Sequence, residues 1–194
     1  MKKHIKLIII LIIITTIATA IILNFSKIEN AYVGEVMHGK IRIFKCLPYS
    51  SNKIMIYQAK RYQKIYHFET TDDKYATWNN ESDAFKHAFG GAEISLKLGP
   101  FLGKLIYDFY EEIYGDICEK QPQNENLMDK WNNNEGQKIA DEIYKECGNN
   151  IFTVYKLFYN DTMDDIIAQK VAIKIKNGDL ITNPKDKRLN NLTY

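Results

Sequence analysis

Hydrophobic positions along the chain form one long unbroken run and then a series of shorter, periodic ones. Leu7 to Phe25 holds no charged residue, and Leu7 to Ile14 is Leu and Ile throughout. A soluble surface helix would keep one polar face, and this stretch has none. At about 1.5 Å rise per residue it is just long enough to cross a hydrocarbon core. Residues 1–25 are therefore expected to form a single membrane-spanning helix. Lys2, Lys3 and Lys6 precede the run, which orients the N-terminus to the cytoplasm and the remainder outside, as in a single-pass inner-membrane protein. Cleavage is the competing expectation, because Ala18-Thr19-Ala20 has the small-residue spacing of a signal-peptide site and removal there would leave a secreted or periplasmic domain. Ile21, Ile22 and Leu23 carry the apolar run past that site, which favours an uncleaved anchor.

Residues 26–50 read as a connector, with Gly34, Gly39 and a short alternation around Ile41 and Ile43. Helical periodicity then sets in. Ser50-Ser51-Asn52 offers a cap to Ile54, Tyr57, Ala59, Tyr62 and Ile65, which predicts an amphipathic helix over 52–67. A second helix begins near Glu81 or Ser82, capped by Asn80 or Ser82, and stops at Gly99-Pro100. Its core stripe is Phe85, Ala88, Phe89, Ala92 and Leu96. Gly90-Gly91 inside it costs about 1 kcal/mol per residue relative to Ala, so a close approach of another backbone or a ligand is expected there. Residues 100–115 repeat the pattern, with Leu102, Leu105, Ile106, Phe109 and Ile113 on one side. The tight 99–100 turn makes this helix antiparallel to its predecessor, so one of Asp108, Glu111 or Glu112 can face it.

A polar loop over 116–127 leads to a fourth helix over 132–147, ended by Gly148. Phe152 to Tyr159 is a short apolar segment, and Thr162-x-x-Asp165 opens a fifth helix through about Val171. Residues 171–176 alternate, and Asn177-Gly178 predicts a short C-terminal hairpin with Leu180 to Thr182. The fold class is thus mainly α: a bundle of about five helices over 51–176, after the membrane segment and connector, with a frayed tail over 177–194.

Composition narrows the function. Without the three N-terminal lysines, 23 basic residues face 24 acidic ones, a net charge of about −1. That balance offers no field for phosphate backbones, so nucleic acid is not an expected partner. Cys46, Cys118 and Cys147 have no CxxC spacing, which argues against zinc ribbons and thioredoxin chemistry. A Cys118–Cys147 disulfide is the pairing expected in an oxidising compartment.

Two polar runs stand out. Asn79 to Ala92 places Asp83 and His87 one turn apart on one helical face, and Met128 to Gly136 supplies Asp129, Asn132 and Asn133. A carboxylate beside an imidazole can make His87 a general acid or base. The same residues can instead ligate a divalent metal, with Asp83, His87, Glu111, Glu112 and Asp129 as the candidate ligands. Taken singly, each residue has a plainer role. Asp83 suits a helix N-terminus, His87 a half-buried core position, and Asn132 and Asn133 a cap of the fourth helix. Trp78 and Trp131 flank the two runs, as pocket walls or as ordinary packing.

The segments D-A-F-K-H-A at 83–88 and M-D-K-W-N-N-N-E-G-Q at 128–137 resemble the paired motifs of an uncharacterised bacterial domain family. Domains of this kind occur in exported bacterial proteins and at the ends of Rhs-type polymorphic toxins. The resemblance covers residues 50–147 and implies Asp83, His87, Asp129, Asn132, Asn133 and Gly136 as shared polar positions. Lys86 and Gln137 stand where the family usually has Arg. Tyr110-Glu111 or Glu111-Glu112 stands where relatives carry a His-Glu pair, so any chemistry of that His is lost here. The expectation is an exported or membrane-anchored enzyme, hydrolase-like or effector-related, with an Asp/His/Asn site. The alternative is a non-enzymatic envelope or partner-binding protein of accessory or immunity type.

Overall fold

The computed structural model describes residues 48–69, 77–111, 121–160 and 162–192. The expected membrane segment, most of the connector, Glu112, Cys46 and Cys118 lie outside them. Among the described residues are six α-helices: α1 (Pro48–Tyr66), α2 (Glu81–Leu98), α3 (Pro100–Tyr110), α4 (Gln123–Glu146), α5 (Ile151–Tyr159) and α6 (Met163–Lys176). A 3-10 helix, Lys187–Asn191, follows. No strand occurs among these residues, and no helix of theirs is long and apolar enough to cross a membrane.

Helix α2 is the axis of the bundle and has the expected ends. The Asn80 side chain accepts from the Asp83 N–H at 3.0 Å, and Asp83 Oδ2 accepts from the Asn79 N–H at 2.7 Å. Asn79 sits at φ 52, a left-handed position that asparagine tolerates well. Gly99 at φ 84 ends the helix, and Pro100 starts the next. All five expected stripe residues are buried. Phe85 and Phe89 stack at 5.4 Å between ring centroids, and Tyr62 and Phe68 close on Phe85 at 5.6 and 5.1 Å. Such pairs add about 0.5–1.5 kcal/mol each beyond area burial.

The neighbours of α2 are set by small residues. α4 runs alongside it in the same direction: Asp129 reaches His87, a Cβ on Gly91 would lie 3.2 Å from the Asn133 Cα, and one on Gly136 would lie 2.9 Å from the Ala92 nitrogen. The expected close approach at Gly91 is therefore to the α4 backbone. α3 folds back antiparallel, as expected, with Gly103 against Ser95 and the Tyr107 hydroxyl donating to the Gly90 carbonyl.

Several sequence expectations are corrected. On α1 the buried face is Met55, Gln58, Ala59 and Tyr62, while Tyr57 and Ile65 are exposed. The deciding contacts come from α6: Gln58 donates to Asp164 at 2.7 Å and the Tyr62 hydroxyl to Asp165 at 2.5 Å. On α3 the aliphatic residues Leu102 and Leu105 point outward, because the helix approaches α2 through Gly103 and Tyr107. α4 starts at Gln123, nine residues before the expected 132. Its first half buries Asn126, Asp129, Asn132 and Asn133, so no apolar period marks it in the sequence. The segment 152–159 is helical. α6 continues to Lys176 because Val171 and Ile175 share its buried face, so the expected hairpin over 171–182 does not form.

The tail is packed as well. Leu180, Ile181 and Leu189 are buried, Trp131 Nε1 donates to the Asp179 carbonyl at 3.0 Å, and Arg188 donates to the Gly178 and Leu180 carbonyls at 2.8 and 3.0 Å. Trp131 is therefore a tail clamp, and Trp78 is exposed. Cys147 is a half-buried free thiol.

Candidate functional site

Three helices bring ionisable groups to one buried spot. Asp83, Lys86 and His87 come from the first turns of α2, Asp129 and Asn133 from the middle of α4, and Glu111 follows directly on α3. His87 Nε2 lies 3.1 Å from Asp129 Oδ1 and 3.6 Å from Asp83 Oδ1, and its Nδ1 lies 3.6 Å from Glu111 Oε1. Lys86 Nζ pairs with Asp83 Oδ1 at 2.6 Å.

Each converging group is pinned from behind. Asp83 Oδ2 takes the Asn79 N–H at 2.7 Å, and Asp129 Oδ2 takes the Gln121 amide at 2.7 Å. Glu111 Oε1 accepts from Asn133 Nδ2 at 3.0 Å, and its carbonyl accepts from Asn126 at 3.0 Å. The outer atoms are thus held by the scaffold. The inner atoms, Asp83 Oδ1, His87 Nε2 and Asp129 Oδ1, turn toward a common point, and ligand atoms of these three residues lie within 4.8 Å of one another. Asp129 Oδ1 is fully buried and makes no hydrogen bond.

Burial dominates the electrostatics. Desolvation would raise the Asp83 carboxyl, but Lys86, His87 and the Asn79 N–H outweigh it and hold the group below its ordinary value. Asp129 is pushed well up by burial and by the facing Asp83 and Glu111 carboxylates. Burial likewise lifts Glu111 to about 7, against hydrogen bonding from Asn133 and the charge of Lys86. His87 is driven down to about 3 by burial and by Lys86, with Asp83 and the Asn133 side chain pulling the other way. The imidazole is therefore neutral at pH 7, the state that ligates metal or accepts a proton. Lys86 is held charged, since Asp83 and Asp129 overcome its desolvation. Three carboxyl groups around one lysine leave an excess of negative potential that protons or another cation must balance.

Of the sequence candidates, the structure brings Asp83, His87, Asp129, Asn133 and Glu111 together. Asn132 turns away from them: its Nδ2 donates to the Ile181 carbonyl at 2.8 Å and its Oδ1 accepts from the Ile181 N–H at 3.0 Å. It is a clasp for the tail and caps no helix. Asp108 pairs with Lys104 at 3.0 Å. Gly136 packs on α2 and lets α4 come close. The sequence missed two members of the cluster, Lys86 and Gln121. The i,i+3 spacing of Lys86 from Asp83 was the available signal for the first, and Gln121, in a polar loop, left none.

The family model for a domain of unknown function, DUF6973, matches residues 46–177. The chain belongs to this family. The match ends with α6 and includes every residue of the cluster. No curated protein and no solved structure matches the chain.

Proposed function

We propose that this DUF6973 chain is an exported, membrane-anchored hydrolase whose cluster holds one divalent metal ion through Asp83 Oδ1, His87 Nε2 and Asp129 Oδ1. The observation that carries this reading is the buried Asp129 Oδ1, which makes no hydrogen bond and faces His87 Nε2 at 3.1 Å, while its partner oxygen is fixed by Gln121. Metal–ligand bonds of about 2.0–2.2 Å place adjacent ligand atoms roughly 2.8–3.6 Å apart, and the 3.1 and 3.6 Å separations around Nε2 fall in that range. Two carboxylates and one imidazole suit Mn2+, Fe2+ or Zn2+ better than Ca2+, which prefers oxygen alone. Glu111 and Asn133 at the far ring nitrogen supply the outer shell that orients a ligating histidine.

A metal held by Asp83, His87 and Asp129 would supply an activated water, with a pKa brought down into the neutral range. Glu111 faces the ring nitrogen opposite the proposed ligand atom, so its part is to orient the imidazole. Lys86 is positioned to offset negative charge that develops on a substrate. Lys86 and His87 are the most open side chains of the cluster, 14% and 13% exposed against 3–6% for the carboxylates, so a substrate approaches past them. The exported setting rests on the uncharged run Leu7–Phe25 and on the resemblance to exported and Rhs-type toxin domains.

The test is metal content. After dialysis against Mn2+ or Zn2+, the purified chain is expected to retain about one ion, and Asp129→Asn to lose it while keeping its helical circular dichroism. His87→Ala should abolish hydrolysis of ester and phosphoester probes. A wild-type chain that retains no ion sinks the metal reading, and a His87→Ala variant with unchanged activity sinks the enzyme. A second reading is favoured by one observation, the double capping contact between Asn79, Asn80 and Asp83: the cluster then stabilises the bundle of a non-enzymatic envelope or partner-binding protein. It predicts that Asp83→Ala and Asp129→Asn both melt lower in the presence of a chelator.

A further inference from the structure

The two halves of α4 pack against different neighbours. The second half belongs to the main core, where Ile139, Ala140 and Ile143 join one cluster with residues of α2 and α6. Met128, in the first half, lies in a separate apolar cluster with Ile181 and Leu189 of the tail, and Leu127, Trp131 and Leu192 pack at its edge. Among the described residues, the large apolar side chains of this half are thus supported by the tail. Toward α2 and Glu111 the same half presents polar groups: Asp129 to His87 at 3.1 Å, Asn133 to Glu111 Oε1 at 3.0 Å and Asn126 to the Glu111 carbonyl at 3.0 Å.

The tail is held through its main chain. Asn124 donates to the Pro184 carbonyl at 3.1 Å, Trp131 Nε1 to the Asp179 carbonyl at 3.0 Å, and Asn132 bonds both the N–H and the carbonyl of Ile181. Arg188 ties the tail to itself, donating to the Gly178 and Leu180 carbonyls and pairing with Asp186 at 2.7 Å. The family match stops at residue 177, so these contacts lie beyond it.

Met128 and Asn132 each stand one position before a cluster residue, Asp129 and Asn133. Both pairs are spaced i,i+4, so one stripe of α4 faces the tail and the next, about 100° round the helix, faces His87. With the tail lifted, the first half of α4 keeps only its polar side against the bundle, where Asp129 meets the carboxylates of Asp83 and Glu111 around one imidazole. Like charges so placed oppose close approach. We infer that the tail is a strap that positions Asp129: seated on Met128, Trp131 and Asn132, it holds the first half of α4 against α2 and keeps the cluster closed around a cation. This rests on the metal-binding part of the function proposed above. Ion affinity then scales with the fraction of chains in which the tail is docked. Loss of one clasp, as in Asn132→Ala, leaves Leu180, Ile181 and Leu189 buried and the tail docked most of the time. Unseating the tail outright opens the site.

The test uses the full chain carrying Ile181→Asp and Leu189→Asp together, which put charges into the apolar cluster on Met128. In chelator, hydrogen exchange read by mass spectrometry should show amides of 127–133 exchanging about tenfold or more faster than in wild type, together with those of 180–192, while 139–146 stay protected. Mn2+ affinity should fall about tenfold or more. Fast exchange confined to 180–192 overturns the strap. Loosening of 127–133 with Mn2+ bound as tightly as in wild type overturns the positioning of Asp129. A wild-type chain that binds no ion, with 127–133 still loosened in the variant, supports the strap and sinks the metal reading alone. Should 139–146 lose protection as well, Arg188→Ala decides, since it loosens the tail without a buried charge. Faster exchange of 127–133 alongside 180–192 in that variant supports the strap, and faster exchange of 180–192 alone overturns it.

Discussion

Gly136 of α4 packs against Ala88 of α2 with no room for a side chain between them. A Cβ at Gly136 would lie 2.9 Å from the Ala88 carbonyl carbon and closer still to its oxygen, and both atoms belong to backbone that a rotamer change cannot move. This contact sets the distance between the two helices that supply His87 and Asp129.

Gly136→Ala is therefore expected to destabilise through overpacking by about 3 kcal/mol or more. For a chain of this size that lowers the melting temperature by roughly 6–12 °C. The same change should weaken metal retention, because it spreads α2 from α4. Calorimetry with and without Mn2+ checks both effects.

Glu111→Gln should alter how stability depends on pH. Below about pH 4.5 the Glu111 carboxyl is protonated in both the folded and unfolded chains; as pH rises toward 7 only the folded chain keeps the proton, so its stabilising contribution is lost across that window. His87 runs the other way. Held down to about 3, it contributes stability that is present above its ordinary 6.5 and lost as pH falls toward 3. The two effects oppose each other in the wild type, so the informative quantity is the difference between variant and wild type in chelator. That difference should grow in favour of Glu111→Gln from pH 4.5 to 7, by at most about 3 kcal/mol. A flat difference in denaturant titrations across the window contradicts the burial-driven rise of Glu111.

Asn132 and Asn133 are neighbours with separate work. Asn132→Ala leaves the buried N–H and carbonyl of Ile181 unpaired, at about 1–3 kcal/mol for each group, and should expose amides of 180–192 to faster hydrogen exchange while metal retention stays intact. Asn133→Ala should leave the tail protected and weaken metal binding about 10–100-fold, the range seen for outer-shell residues. Hydrogen exchange and metal titration on the two variants separate the roles. Tail loosening in both would contradict the assignment.

Lys86→Met removes the ammonium that pairs with Asp83 Oδ1 at 2.6 Å. Because that ammonium competes with a metal for the same oxygen, divalent affinity should rise on the order of tenfold or more, as one nearby unit charge at an effective dielectric of about 20 exceeds 1.4 kcal/mol. In chelator the variant should be less stable than wild type, since Asp83 loses its countercharge. Isothermal titration with Mn2+ would show the idea wrong if affinity fell.

The local signals were sufficient for α2. Gly99-Pro100 marked its far end and Asn80 or Ser82 its start, between which the structure chooses Asn80, and Asp83 and His87 share a face by helical geometry alone. The tight turn after Leu98 allowed one of Asp108, Glu111 or Glu112 to face α2, with a solvated acidic face as the plainer expectation, and Glu111 is the one that faces His87. The start of α4 was not legible, because its buried residues there are Asn and Asp and give no hydrophobic period.

By itself, then, the sequence determined a mainly helical domain, the position of α2, and the residues from which a site could be made, since capping and periodicity act within a few residues of each other. Tertiary structure alone decided which face of α1 and α3 is buried, that Asn133 joins the cluster while Asn132 clasps Ile181, and that Gln121 completes it. Those outcomes depend on which backbones can approach at Gly91, Gly103 and Gly136, and on buried polar groups finding partners 49 to 106 residues away in the chain. Neither condition leaves a periodic trace along the sequence.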